Sequence, residues 1–129
     1  MPHRRKISLV VPCLNEQEVL PRALSRIGAV IARDFGEWSV EVLIVDDGSE
    51  DSTVSVARNW EPPPHTQLHV LEFSRNFGHQ AAISAGIDEA SGEVIAILDA
   101  DLQDPPELLG QMVAALDDGY DIVSGRRVS

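Results

Sequence analysis

Two aspartates and a glutamine follow a short apolar run in the last third of the chain, in an order that suits metal chemistry. The run, Val94 to Leu98, is too short for an ordinary helix and is typical of a fully buried parallel strand. Asp99, Asp101 and Gln103 come directly after it. Their oxygen atoms are ligands that Mg²⁺ or Mn²⁺ accepts, while water and substrate phosphates fill the other positions. Alternatively, the two aspartates only solvate a loop.

A second acidic cluster follows another apolar run. Asp46, Asp47, Gly48 and Ser49 come directly after residues 40–45, which also predict a strand. Because the carboxyl ends of parallel strands meet at one edge of a sheet, both clusters are expected at the same edge. A carboxylate there could accept hydrogen bonds from a base or a ribose. The alternative is an ordinary Asp-Gly turn in which Ser49 or Asp51 caps the next helix.

The elements that must position these residues alternate along the chain. Strands are predicted at 7–11, where Pro12 ends the strand, and at 40–45, 68–73, 94–98 and 121–124. Helices are predicted near 18–35, 52–60, 80–90 and 105–116. Asp104 is expected to cap the last of these helices. The residues of that helix expected to face the core are Leu108, Leu109, Met112, Val113 and Leu116. Such alternation predicts an α/β fold, with a doubly wound, mainly parallel sheet and helices on both faces, as in Rossmann-like nucleotide-binding halves.

Composition limits the possible functions. The chain has 129 residues, enough for one domain with a core, and 43% of them are hydrophobic. Ten basic and 21 acidic residues give a net charge of −11, which argues against nucleic acid as a partner. Cys13 is the only cysteine, so no intrachain disulfide can form and a reducing, cytoplasmic location is expected. No stretch has the length of a transmembrane helix, so we expect this chain to be soluble.

Two common kinds of nucleotide chemistry are disfavoured. The turn after the first strand runs from Pro12 to Glu16 without a glycine, so the dinucleotide fingerprint is absent. Lys6 is the only lysine and precedes that strand, so there is no P-loop lysine. A nucleotide would have to be held by carboxylates, backbone groups and a metal. The lack of a later lysine also argues against a Mg²⁺-binding, response-regulator-like domain, which is the non-enzymatic alternative.

Several motifs together resemble a known family. The segments Val11–Glu16, Ile44–Ser49 and Asp99–Asp101 are similar to the opening signatures of family 2 glycosyltransferases with the GT-A fold. Ser74–Gln80 and Asp99–Glu107 resemble the bacterial branch related to dolichol-phosphate mannosyltransferase. That branch moves a sugar from a nucleotide-diphospho-sugar to a polyprenyl phosphate. The resemblance extends from about Ile7 to Arg127.

The resemblance implies a role for each matched residue. Those that would contact the nucleotide-sugar donor are Pro12, Asn15, Glu16, Asp46, Asp47 and Asp99, with Asp46 and Asp47 at the base and ribose. Asp99 and Asp101 would form the catalytic pair, and Asp101 and Gln103 would hold the Mg or Mn ion that bridges the phosphates. Arg75 could contact a phosphate, since guanidinium suits that geometry, or pair with nearby acids. His79 belongs to the same motif as Arg75. It could have a functional role, or it could simply lie at the exposed start of a helix.

The resemblance also implies an activity. We expect a metal-dependent, inverting transfer to a lipid-phosphate acceptor at the inner face of the membrane; a family 2 transferase acting on a polysaccharide or another acceptor is the alternative. Catalytic domains of this family continue beyond the fifth strand. Residues 1–129 are therefore expected to form one GT-A-like nucleotide-sugar-binding domain, truncated at its C-terminus, that binds donor better than it turns it over. A shortened sheet would expose an apolar edge, which a homodimer could cover.

Overall fold

The computed structural model describes residues 4–101 and 105–117. Its strands are β1 (Lys6–Cys13), β2 (Ser39–Asp46), β3 (Thr66–Glu72) and β4 (Val94–Ile97). Its helices are α1 (Leu20–Asp34), α2 (Thr53–Asn59), α3 (His79–Glu89) and α4 (Leu109–Asp117), with a 3₁₀ turn at Pro106–Leu108. Strands and helices therefore alternate in the order that the sequence predicts.

The four described strands form one parallel sheet in the order β3-β2-β1-β4. The central strand β1 places Leu9 opposite Val42 of β2 and Ala96 of β4. This arrangement confirms the predicted α/β class with a parallel sheet. The predicted fifth strand at 121–124 and the predicted cap Asp104 lie outside the described residues.

Side chains alternate between two core layers, because successive residues of a strand point to opposite faces. Leu9 and Val11 face the layer formed with α1, α2 and α4, where the α1 residues Leu20, Leu24, Ile27 and Ile31 recur at helical spacing. Val10 faces the second layer, which it forms with Leu43, Val45 and Ala82 of α3. Helices thus cover both faces, as predicted for a doubly wound sheet.

The sequence predicts that the first strand ends at Pro12, but in the structure the strand continues to Cys13. The Cys13 carbonyl accepts the N–H of Asp47 on the β2 side at 2.9 Å, and the Val10 carbonyl accepts the N–H of Leu98 on the β4 side at 2.9 Å. Successive residues of a strand direct their backbone groups toward opposite neighbouring strands. Cys13 faces β2 and Val10 faces β4, so the nitrogen of Pro12 points to the β4 side. Pairing with β4 ends at Val10, so the missing N–H of Pro12 costs no hydrogen bond between strands.

The fourth strand is not fully buried, which corrects a second prediction. Ile95 and Ile97 are 40% and 43% exposed, whereas Val94 and Ala96 pack against the α1 layer. The physical reason is that α3 packs on β1 and β2, so it leaves the same face of β4 uncovered within the described part of the chain. The strand therefore has one packed face and one open face.

The last described helix begins later than predicted. Pro106–Leu108 form a 3₁₀ turn, and the α-helix starts at Leu109. Leu109 and Val113 are buried as predicted, but Leu108 is 37% exposed and does not face inward. A 3₁₀ turn has three residues per turn instead of 3.6, which changes the direction of the side chains at the helix start.

Candidate functional site

An open cavity of about 440 Å³ lies at the carboxyl-terminal edge of the sheet. Five of the predicted site residues line it, namely Pro12, Glu16, Asp47, Asp99 and Asp101. They come together because β1, β2 and β4 are parallel, so the segments that follow these strands meet at one edge. The predicted residues Asn15, Asp46 and Arg75 do not line this cavity, and Gln103 lies outside the described residues.

The cavity has a strongly acidic side. Burial raises the pKa of Glu16 above its ordinary value, and the negative charges of Asp101, Asp51 and Asp99 raise it further. The backbone N–H of Leu14 acts in the opposite sense. A carboxyl group whose pKa is raised in this way lies in a field of negative charge, which a bound cation would relieve.

The donor atoms at this acidic side suit a hard divalent cation. Carboxylate oxygens are the ligands that Mg²⁺ and Mn²⁺ accept. In residues 4–101 and 105–117, no group of three His, Cys, Asp or Glu side chains is close enough to hold a metal ion alone. Ions of this kind often bind through one or two carboxylates and complete their coordination with water and substrate phosphates. Asp99 and Asp101 therefore fit such an ion, and a ligand role for Gln103 stays a prediction.

Asp46 and Asp47 have different surroundings although they are adjacent in sequence. Asp46 is 1% exposed, and its carboxylate accepts hydrogen bonds from the N–H and the hydroxyl of Ser49. Asp47 is 4% exposed and accepts the N–H of Phe77 at 2.7 Å and the N–H of Gly78 at 3.1 Å. Asp46 thus closes its own turn, whereas Asp47 lines the cavity and holds a distant loop. Their predicted contacts with base and ribose stay predictions.

Asn15 connects two turns instead of lining the cavity. Its backbone has a positive φ of 53°, a conformation that asparagine tolerates well. Its N–H donates to the Ser49 hydroxyl at 2.8 Å, and its side-chain oxygen accepts the N–H of Glu50 at 2.9 Å. The N–H of the next residue, Glu16, donates to the Thr53 hydroxyl at 2.8 Å. These bonds place Glu16 at the cavity wall.

The loop between β3 and α3 contains Arg75, and the first residue of α3 is His79. The exposed Arg75 lies over the ring of Phe77, with its guanidinium carbon 4.6 Å from the ring centroid. Its predicted phosphate contact stays a prediction. His79 lines the cavity, and its Nε2 lies 3.8 Å from Oδ1 of Asp99. His79 is exposed at the first position of α3, so the structure places it both at an exposed helix start and on the cavity wall. The sequence could not predict this combination, because it depends on how α3 packs on β1 and β2.

Cys13 and Asn76 also line the cavity, and neither was assigned to a site from the sequence. Cys13 is almost fully buried, and this burial raises the pKa of its thiol, which is therefore neutral near pH 7. Cys13 also packs in the core layer that contains α1, as a small buried residue. The signal that could have found Asn76 is its position in the same polar loop as Arg75.

Residues 8–129 match the family model described as glycosyl transferase family 2. The chain belongs to this family. The resemblance that the sequence motifs indicate is thereby confirmed, and a response-regulator-like domain is excluded.

Two relatives show how the chain compares in length with other members. It is 40% identical over 123 residues to an uncharacterized glycosyltransferase, YkcC, of Bacillus subtilis, a match that covers 95% of this chain and 37% of that protein. It is also 40% identical over 121 residues to the undecaprenyl-phosphate 4-deoxy-4-formamido-L-arabinose transferase of Enterobacter sp., which covers 92% of this chain and 36% of that protein. The chain thus spans little more than a third of the curated relatives it matches.

Solved glycosyltransferase structures share the fold. The mannosyltransferase PcManGT of Pyrobaculum calidifontis, solved in complex with GDP-Man and Mn²⁺, aligns with a TM-score of 0.74 at 29% identity, covering 91% of this chain and 34% of that one. TarS 1–349 of Staphylococcus aureus in complex with UDP aligns with a TM-score of 0.67 at 26% identity, covering 88% and 32%. These matches confirm the GT-A fold and show that divalent-cation use occurs among its members. Among the described helices of this chain, none combines the length and apolar character that a membrane crossing requires.

Proposed function

We propose that this chain forms the donor-binding part of a glycosyltransferase that moves a sugar from a nucleotide-diphospho-sugar to a polyprenyl phosphate. The observation that carries this proposal is the group of carboxylates from Glu16, Asp99 and Asp101 around one cavity at the carboxyl edge of the sheet. Two relatives that are 40% and 37% identical to this chain are named undecaprenyl-phosphate 4-deoxy-4-formamido-L-arabinose transferases. These names support a polyprenyl phosphate as the acceptor.

The residues of the cavity divide between the parts of the donor. Pro12, Glu16 and Asp47 border the nucleoside, and Asp99 lies beside the sugar–diphosphate. Asp101, together with Gln103, holds Mg²⁺ or Mn²⁺, because oxygen donors suit both ions. When bound, such an ion supplies positive charge that stabilises the departing nucleoside diphosphate.

Three more residues act at the edge of the cavity. Arg75 extends from the exposed loop before α3 and contacts a phosphate of the donor, for which its planar guanidinium is suited. Asn15 and Asp46 contribute mainly through the turns that they hold, because their side-chain oxygens accept backbone N–H groups of Glu50 and Ser49. A direct contact of either with base or ribose would need these bonds to open.

The acceptor requires little activation. A lipid phosphate is largely ionised near neutral pH, since its second pKa is about 6, so it can attack the sugar without a strong general base. In-line attack of this oxygen on the anomeric carbon inverts the configuration. The acceptor lies in a membrane, so the full-length enzyme works at the inner membrane surface. Transfer of labelled sugar by the full-length enzyme to polyprenyl phosphate, and not to a polysaccharide, would support this acceptor class.

We also propose the organisation of the chain. Residues 1–129 form one nucleotide-sugar-binding domain of a longer enzyme, in keeping with the greater length of its relatives. Within residues 4–101 and 105–117, the side chains of Ile95 and Ile97 are exposed and form an apolar face that a homodimer would cover. Light scattering of the 129-residue chain tests this, since replacing both isoleucines by threonine should reduce any dimer to monomer.

Calorimetry tests the donor site directly. UDP, GDP and CDP are each titrated into the chain with Mn²⁺ and with a chelator. We expect one nucleotide to bind only in the presence of Mn²⁺, and Asp101→Ala to weaken this binding by tenfold or more, on the order of 1.4 kcal/mol. Asp88→Ala is the matched control, because the exposed Asp88 lies roughly 13 Å further along α3 than His79. If a folded chain binds none of the three, the proposal is wrong.

A further inference from the structure

One buried carboxylate holds the loop between β3 and α3. Oδ1 of Asp47 accepts the N–H of Phe77 at 2.7 Å, and both of its oxygens lie within 3.2 Å of the Gly78 nitrogen. Hydrogen bonds to an ionised carboxylate are about twice as strong as those between neutral groups. The side-chain oxygen of Asn76 also accepts the N–H of Gly78, at 2.9 Å. The backbone just before α3 is therefore held from two sides.

The turn that contains Asp47 touches this loop directly. A Cβ atom on Gly48 would lie 2.5 Å from the carbonyl carbon of Arg75 and 2.6 Å from the nitrogen of Asn76. Only glycine allows such a close approach of two backbones, and the φ of Gly48, +85°, also favours glycine. The loop before α3 therefore cannot shift toward β2, and its position is set by the turn.

His79 follows this held segment without an intervening residue. It is the first residue of α3, and Gly78 before it has a φ of +107° that directs the chain into the helix. The His79 imidazole lies on the cavity wall with Nε2 3.8 Å from Oδ1 of Asp99. The path from the Asp47 carboxylate to the imidazole thus consists of one hydrogen bond and one peptide unit.

We propose that Asp47 is a positioning residue of the donor site, which holds the start of α3 so that His79 stands beside Asp99 and contacts the donor diphosphate. This inference rests on the proposed donor-binding function. A ring N–H of His79 donates to a phosphate oxygen, a group that the acidic cavity residues cannot contact favourably without a cation. The role of Asp47 toward His79 is separate from its predicted contact with the nucleoside.

A double-mutant cycle tests this coupling. Binding of the nucleoside monophosphate and of the diphosphate, both with Mn²⁺, is measured for the wild type, Asp47→Asn, His79→Gln and the double variant. We expect His79→Gln to weaken the diphosphate by on the order of tenfold and the monophosphate by less than about twofold. Asp47→Asn also removes the predicted nucleoside contact, which the monophosphate reports by itself. In the wild type it should therefore weaken the diphosphate by on the order of tenfold more than the monophosphate, and when His79 is already replaced the two losses should agree within about twofold.

The inference is overturned if the losses of the two single variants simply multiply in the double variant. Should Asp47→Asn fail to fold by circular dichroism, Gly78→Ala replaces it in the cycle. A Cβ at this position meets nothing within 4 Å, but the positive φ is strained for alanine, so the change moves the loop without removing a carboxylate. If Gly78→Ala leaves diphosphate affinity unchanged, the inference is likewise overturned.

The same titrations separate this inference from the proposed function. If the folded wild type binds neither nucleotide, the proposed function itself is wrong. If the wild type binds the diphosphate and the two substitutions are independent, only the positioning role is wrong. Asp88→Asn, on the exposed side of α3, is the charge-matched control for Asp47→Asn and should leave both affinities unchanged.

Discussion

The backbone N–H of Asn15 donates to the hydroxyl oxygen of Ser49 at 2.8 Å, which joins the turn after β1 to the turn after β2. The Ser49 hydroxyl is in turn held by Asp46, and Glu50 returns a bond to the Asn15 side chain at 2.9 Å. Asp47 then connects the second turn to the loop before α3. Three loops at the carboxyl edge of the sheet therefore form one hydrogen-bonded rim around the cavity. Several residues that the sequence predicts as ligand contacts are used to build it.

Replacing Glu16 by glutamine should stabilise the metal-free chain. The pKa of Glu16 is raised in the folded state, first by burial and then by the charge of Asp101. The contribution of Glu16 to stability is therefore greatest below the pKa it has in the unfolded chain, and it is lost as pH rises through the pKa it has in the folded chain. At pH 7 the ionised form therefore opposes folding. Because the group is partly exposed, we expect a gain of only about a few tenths of a kcal/mol in the free energy of unfolding. Urea unfolding with a chelator measures it.

Addition of Mn²⁺ provides the control for Glu16→Gln. A cation near Asp101 relieves the charge repulsion in the wild type but not the burial of Glu16, so the advantage of the variant should become smaller when Mn²⁺ is present. A variant that is less stable than the wild type in chelator would contradict the assignment of Glu16 to an acidic cluster.

Replacing Glu41 by glutamine should destabilise the fold in a pH-dependent way. Burial by itself raises the pKa of Glu41, but hydrogen bonds from Ser91, Ser8 and Lys6 outweigh it, so the pKa lies below its ordinary value. A lowered folded pKa means that the stabilisation is present above the unfolded pKa and is lost as pH falls through the folded pKa. We expect a loss of roughly 1–3 kcal/mol near pH 7, from urea unfolding, that becomes smaller toward about pH 4.

The exposed Glu61 offers the matched control for Glu41. Glu61→Gln removes the same charge from the surface, and its effect on unfolding should be within about 0.5 kcal/mol at every pH. Equal effects of the two substitutions near pH 7 would show that the buried network around Glu41 does not stabilise the fold.

Two helix glycines should respond to alanine with opposite signs. A Cβ on Gly86 of α3 would lie 2.4 Å from Cγ1 of Val10 in the sheet, whereas a Cβ on Gly28 of α1 would meet Trp60 at an ordinary 3.5 Å. Gly86→Ala should therefore cost roughly 1–3 kcal/mol through overpacking. Gly28→Ala should gain roughly 0.5–1 kcal/mol through helix propensity. Thermal unfolding compares them, and a stabilising Gly86→Ala would show that α3 packs less closely on β1 than described.

Two glycines with positive φ should differ in their tolerance of alanine. Gly48→Ala combines backbone strain with a clash against the Arg75 backbone, so we expect a loss of roughly 3 kcal/mol. Gly78→Ala has strain alone, because its Cβ meets nothing within 4 Å, and should cost roughly 1–2 kcal/mol. Denaturant unfolding of both variants measures the difference. Equal losses would mean that the turn and the loop are not in contact in solution.

Much of the fold could be predicted from local patterns. The spacing of Leu20, Leu24, Ile27 and Ile31 predicts both the helix α1 and its buried side, because a helix repeats every 3.6 residues. Apolar runs that alternate with helices predict a parallel sheet, and parallel strands place Asp47, Asp99 and Asp101 at one edge. These inferences need only the order and type of residues that are close in the chain.

By itself, the sequence determined the fold class, the family motifs and the edge of the sheet at which the acidic residues lie. Only the tertiary structure decided that Asp46 closes its own turn while its neighbour Asp47 holds Gly78, and that His79 stands beside Asp99. It also decided that β4 leaves Ile97 exposed in the described part of the chain. The physical reason is that each of these facts depends on the distance between segments far apart in sequence, which is set by how the helices pack on the sheet and not by local periodicity.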